Sequence, residues 1–98
     1  MLVHSVYFWL KPELTAEQKA AFRKGLESLK GVESVVQIYV GTPSTPNRPV
    51  VDRSYSFGLT LIFKDIAGHD AYQVHPLHVE FGSRYKKFWK TVQIYDTH

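Results

Sequence analysis

The chain has no cysteine. That absence removes disulfides, thiolate metal sites and thiol nucleophiles together, and it fits a reducing compartment, so the expected location is the cytoplasm. No apolar run approaches the roughly 20 residues that a membrane-spanning helix needs. The opening segment Leu2 to Leu10 lacks a basic lead and carries His4 and Ser5, which makes it a poor secretion signal; no membrane partner is expected. There is also no glycine-rich phosphate loop, no Gly-x-Ser-x-Gly elbow and no paired-carboxylate signature, so nucleotide hydrolysis, serine hydrolase and glycosidase chemistry have no support. Repeats, linkers and low-complexity tracts are missing too, and 98 residues leave room for one hydrophobic core. The expectation is a single domain, 1–98.

Apolar residues make up 44% of the chain and charged residues 21%, a balance that suits a folded globule rather than a disordered chain. The net charge of +3 owes much to Arg84, Lys86, Lys87 and Lys90 in one late segment, which reads as a solvated helix face.

Leu2 to Leu10 alternates with period two, placing His4, Val6, Phe8 and Leu10 on one face and Val3, Ser5, Tyr7 and Trp9 on the other. Thr15 and Gln18 have capping-box spacing, and Phe22, Leu26 and Leu29 form the apolar stripe of the helix that follows, with Gly31 as its stop. A second strand is predicted over Val32 to Val40, with Val36, Ile38 and Val40 on one side and Val35, Gln37 and Tyr39 on the other. Gly41 to Arg53, with Pro43, Pro46 and Pro49, reads as a long loop of the kind that serves as a lid, a binding edge or a partner contact. Tyr55 to Phe63 gives the clearest period-two pattern. Asp65 caps a helix expected to run through Gln73, and Pro76 both interrupts it and suits the first position of a new one. Val79, Phe81, Tyr85, Phe88 and Trp89 carry that last helix to about Lys90, and Val92 to Tyr95 closes the chain as a strand. The order is strand, helix, strand, strand, helix, strand, so the predicted fold class is α+β: a ferredoxin-like four-stranded antiparallel sheet with helices on one face.

Helices on a single side should leave the other sheet face polar, with clean alternation along each strand. Here Val3, Tyr7, Trp9, Val35, Tyr39 and Ile62 are expected on the uncovered face, an apolar patch large enough to require a partner. A second copy of the same sheet is the simplest one, because a twofold contact needs only one self-complementary surface.

Of five histidines, His4 on the helix-facing side of the first strand can meet His75 and His78 at the helix break, with Tyr72 one turn upstream. An unbroken helix would put positions 72 and 78 about 120° out of phase, so their convergence depends on the kink at Pro76. A histidine near a helix N-terminus tends to stay neutral and can accept a proton, and a tyrosine beside it can orient or donate. Equally, His75 and His78 can simply cap the helix or bond the backbone. A three-imidazole metal site of His4, His75 and His78 is weakly supported by spacing alone, and no metal or cofactor is assigned. His69 and His98 are expected to be exposed.

His4 on a strand ending in Phe8 and Leu10, the run Tyr72-Gln-Val-His75-Pro76-Leu-His78-Val-Glu-Phe81-Gly82, the downstream Tyr85, Phe88 and Trp89, and the closing Ile94-Tyr95-Asp96 together resemble the stress-responsive dimeric α+β barrel (Dabb) family over nearly the whole length. The resemblance implies a homodimer whose two sheets close into a barrel. For many members it implies no established activity. It also implies a site, since a plant member that cyclises a linear polyketide without cofactor uses a tyrosine and a histidine matching Tyr72 and His78, and a strand histidine matching His4. That enzyme has histidine and tyrosine where this chain has Phe57 and Leu26, which makes the expected cavity more apolar. On this basis Tyr72, His78 and His4 are the candidate catalytic residues, and His75, Phe57, Leu26 and Phe81 the candidate substrate-binding ones, for a small hydrophobic ligand.

Three other readings stand beside this one. Cofactor-free monooxygenases share the dimeric barrel by analogy. A purely structural, stress-linked dimer needs no chemistry. RNA-recognition domains share the element order, and Arg53, Tyr55 and Phe57 occupy three positions of their octapeptide, but Gly58, Leu59 and Thr60 break it, so no nucleic-acid partner is expected.

Overall fold

The computed structural model describes residues 1–98. Strand β1 (Leu2–Leu10) leads into helix α1 (Ala16–Ser28), a 3₁₀ turn at Leu29–Gly31, strands β2 (Val35–Gly41) and β3 (Phe57–Phe63), helices α2 (Ile66–Val74) and α3 (Pro76–Tyr85), a second 3₁₀ turn at Lys86–Phe88 and strand β4 (Trp89–Thr97). The four strands make one sheet in the order β2-β3-β1-β4, with every neighbouring pair antiparallel. This is the expected ferredoxin-like plan. No helix is long and apolar enough to cross a membrane.

Local chemistry sets the element boundaries. The Thr15 hydroxyl accepts from the Gln18 N–H at 3.1 Å while the Gln18 side chain accepts from the Thr15 N–H at 2.8 Å, so the predicted capping box is complete. Asp65 accepts from the Gly68 N–H and starts α2. His75 is extended (φ −65°, ψ 139°) as the residue before a proline must be; it ends α2 and is the N-cap of α3, with Pro76 in the first turn.

Leu2, His4, Val6, Phe8 and Leu10 of β1 and Phe57, Leu59, Leu61 and Phe63 of β3 are buried beneath the helices, paired across the sheet as Leu2 with Phe63, His4 with Leu61, Val6 with Leu59 and Phe8 with Phe57. Against them the helices pack Phe22, Leu26, Tyr72, Phe81 and Tyr85. Each such burial is worth about 2 kcal/mol. Helices α1 and α3 approach closely at Gly25, where an added Cβ would lie 2.5 Å from the Tyr85 ring.

Three expectations for β2 and the last helix need correction. A bulge in β2 pairs Val35 with Phe63 and Gln37 with Ile62, so Val35, not Val36, joins Ile38 and Val40 against the core, and Val36 is 65% exposed. The last helix stops at Tyr85, and Trp89 opens β4 instead of ending that helix. Val79 is exposed rather than part of the apolar stripe.

On the face without helices, Tyr7 packs edge-on to Tyr55 and Tyr95 with centroids 4.9 and 6.5 Å away, and Trp9 donates its indole N–H to Ser54 at 3.0 Å. Tyr55, expected in the third strand, belongs to the end of the long loop, which is strapped to β1 by the Ser56 N–H donating to the Phe8 carbonyl at 2.7 Å.

Candidate functional site

A cavity of about 270 Å³ lies between the sheet and helices α2 and α3. Its polar lining is His4 from β1, Tyr72 and Gln73 from α2, and His78 from α3; the rest is mostly apolar, including Val6, Phe8, Leu59, Phe81 and Trp89. Val92 and Ile94 also line it. They sit on the edge strand β4 at 39% and 46% exposure, so the opening runs along that edge.

The break at Pro76 does what an unbroken helix could not: the rings of Tyr72 and His78 meet with centroids 4.5 Å apart. His78 Nδ1–H donates to the Gln73 carbonyl at 3.1 Å. Because a carbonyl can only accept, this bond assigns the proton to Nδ1 and leaves the lone pair on Nε2. Burial holds the His78 pKa below the ordinary histidine value, reinforced by the neighbouring His4 and His69 and only partly opposed by the Gln73 carbonyl. The ring is therefore neutral near pH 7. Tyr72 is fully buried, and burial pushes its phenol well above the ordinary tyrosine range, so it keeps its proton and can donate it in a hydrogen bond.

His4 is buried and stands 6.0 Å from the Tyr72 ring, centroid to centroid. Its Nδ1–H donates to Asp96 Oδ1 at 2.5 Å, because His4 and Asp96 are direct partners across the β1–β4 ladder. Sequence reasoning missed Asp96 by ending the last strand at Tyr95. The alternation Val92, Ile94, Asp96, carried one step further, would have placed the carboxylate on the His4 face. His69 corrects the expectation of an exposed residue: its ring lies 5.1 Å from His4 and 5.7 Å from Phe63, and its side chain is only 17% exposed. His98 is exposed, as expected.

His75 stands apart from the cavity. Its Nδ1 accepts from the Leu77 N–H at 3.1 Å and its Nε2–H donates to Glu33 at 3.0 Å, which makes it the cap of α3 and a tie to the turn before β2. The trio His4, His75 and His78 therefore does not assemble. The group that does offer converging donors is His4, His69 and Asp96, whose ligand atoms lie within 4.8 Å of one another. Phe81 lines the cavity, whereas Leu26 and Phe57 sit in the core behind it.

Residues 2–98 match the sequence profile of the Stress Responsive A/B Barrel Domain. Olivetolic acid cyclase of Cannabis sativa is 28% identical over 94 residues, covering 95% of this chain and 91% of the cyclase. Among solved structures, a hydroxynitrile lyase from Passiflora edulis superposes with a TM-score of 0.83 at 17% identity, over 98% of this chain and 90% of the lyase. A dimeric ferredoxin-like protein of unknown function from Thermobifida fusca gives 0.80 at 16% identity, over 98% of this chain and 88% of its own.

Proposed function

The chain belongs to the stress responsive A/B barrel domain family, and we propose that it acts as a homodimer whose cavity binds a small, largely apolar molecule and moves a proton on it using Tyr72 and His78. The observation that carries this reading is the pairing of two groups in opposite states within one apolar cavity: a neutral imidazole with Nε2 free, and a phenol that keeps its proton. His78 Nε2 takes a proton from a carbon beside a carbonyl. The charge that develops on the carbonyl oxygen is met by the Tyr72 hydroxyl, and return of the proton from His78 completes the turnover. His4, fixed by Asp96, forms a polar wall beside Tyr72, Phe81 shapes the apolar part, and Leu26 and Phe57 support that wall from the core. His75 contributes by fixing the helix break.

A cyclase and a lyase among the relatives favour chemistry over a purely structural role. The dimer is favoured by the aromatic outer face of Tyr7, Trp9, Tyr55 and Tyr95 and by the dimeric Thermobifida fusca relative; two such sheets back to back would bury it. The test is solvent-deuterium exchange on an arylacetone, whose benzylic carbon adjoins a carbonyl. Exchange above background that is lost in both His78→Ala and Tyr72→Phe is the expected result; no exchange and no binding across a series of aryl ketones would defeat the proposal.

A further inference from the structure

We propose that His4, His69 and Asp96 form a binding site for one divalent transition-metal ion of the zinc class, joining β1, α2 and β4 beside the cavity. Two imidazoles and one carboxylate are donors suited to such an ion, and in this chain they come from three separate elements whose donor atoms already lie within 4.8 Å of one another.

The state of each donor supports the assignment. His69 Nδ1–H donates to Asp70 at 3.2 Å, and the Gln73 side-chain amide donates to His69 Nε2 at 3.3 Å, so Nε2 carries the lone pair. A ligating histidine is characteristically held in this way, its second nitrogen donating to a carboxylate that fixes ring and tautomer. His4 Nδ1–H donates to Asp96 Oδ1, so two of the three donors already meet. Metal uptake forms bonds to His4 Nδ1, His69 Nε2 and an Asp96 oxygen; the His4 proton passes through solvent from Nδ1 to Nε2, so the ring ligates as a neutral imidazole, and the Gln73 amide gives up its bond to His69 Nε2.

Tetrahedral donors about 2.0–2.1 Å from zinc sit closer together than the widest separation here, so the triangle must tighten on binding. His4 is buried and His69 packs edge-on against it, whereas Asp96 lies near the exposed end of an edge strand and has room to close on the two imidazoles. The fourth position is left to water or to an oxygen of a molecule in the cavity, which His4 also lines. The site does not depend on the proton-transfer reading, because Tyr72 and His78 are not among its ligands.

The experiment is calorimetric titration of the tag-free full chain with Zn²⁺ alone, and visible absorption with Co²⁺ alone. One ion per chain is expected, with cobalt bands of tetrahedral intensity. His69→Gln and Asp96→Asn should each abolish both, Asp70→Asn should weaken binding about tenfold, and His75→Ala and His98→Ala should change neither. Circular dichroism of each variant checks that it is folded. The proposal is overturned by absence of binding at millimolar Zn²⁺, by binding that survives either His69→Gln or Asp96→Asn, or by loss of binding in His98→Ala, which would move the ion to the chain terminus.

Discussion

Tyr72 and His78 belong to different helices, one on each side of Pro76, and their ring centroids are 4.5 Å apart. The proline forces His75 into an extended conformation, and that single residue turns two side chains that an unbroken helix would hold about 120° apart toward one cavity. The meeting of the two rings follows from this break, and burial beside the cavity sets their charge states.

The first prediction concerns pH. Burial and two neighbouring imidazoles hold the folded His78 pKa below its ordinary value of 6.5, so between that value and the lower folded one the unfolded chain binds more protons than the folded chain does. Stability then rises with pH through that window, is lost as pH falls through it, and changes no further from this group below the folded pKa. Thermal melts between pH 5 and 7.5 should show this slope flattened in His78→Gln. A histidine resonance of His78 titrating above 6.5 would contradict it.

Tyr72→Phe should separate chemistry from stability. The phenol borders the cavity and bonds no other group of the chain, so its removal leaves no buried partner unsatisfied and should cost less than about 1 kcal/mol in chemical denaturation. Deuterium exchange should nevertheless fall to background. If the variant instead retains full exchange, the oxyanion is met by another donor.

Most of the scaffold was legible because its signals are local. The capping box at Thr15 and Gln18, the stop and restart at His75-Pro76, and the alternation of Leu2 to Leu10 each depend on residues close together in the chain. What escaped depends on pairing with distant strands. The bulge that turns Val36 outward is defined only against Phe63 and Ile62 of β3, and Trp89, in an aromatic run compatible with helix or strand, is committed to β4 by its pairing with Leu10. The site divides in the same way. Tyr72 and His78 are near neighbours around a visible break, whereas Asp96 becomes a partner of His4 only through a ladder joining the two ends of the chain, and His69 approaches His4 only once α2 lies on the sheet.

The outer face should tolerate no charge if it is a subunit contact. Tyr7 sits in the middle of that face, between Tyr55 and Tyr95. Sedimentation of the parent chain should report twice 11.3 kDa, and Tyr7→Lys should yield the single chain at micromolar concentration. Trp9 fluorescence should become more accessible to iodide in the same variant. A parent protein that sediments as one chain would remove the dimer.

Leu26 tests whether a core residue also shapes the ligand. It is fully buried on α1 and does not line the cavity, so Leu26→Ala should cost about 2–5 kcal/mol in urea denaturation. Aryl-ketone affinity, measured where the variant is still folded, should change less than it does for Phe81→Ala, whose ring forms part of the lining. Equal losses for the two would mean that the wall yields as one unit.

Gly82 poses the sharpest conflict between stability and binding. It lies inside α3, lines the cavity, and would bring an added Cβ within 4 Å of nothing, so close packing gives no reason for glycine here. Glycine inside a helix costs roughly 0.5–1 kcal/mol relative to alanine, and the space it leaves belongs to the cavity. Gly82→Ala should therefore raise the melting temperature by a few degrees. Gly82→Leu, projecting further into that space, should weaken binding of the longer members of an alkyl aryl ketone series more than the shorter ones. Loss of affinity that is equal along the series would mean that the side chain blocks entry rather than filling the cavity, and no loss at all would mean that the ligand does not reach α3.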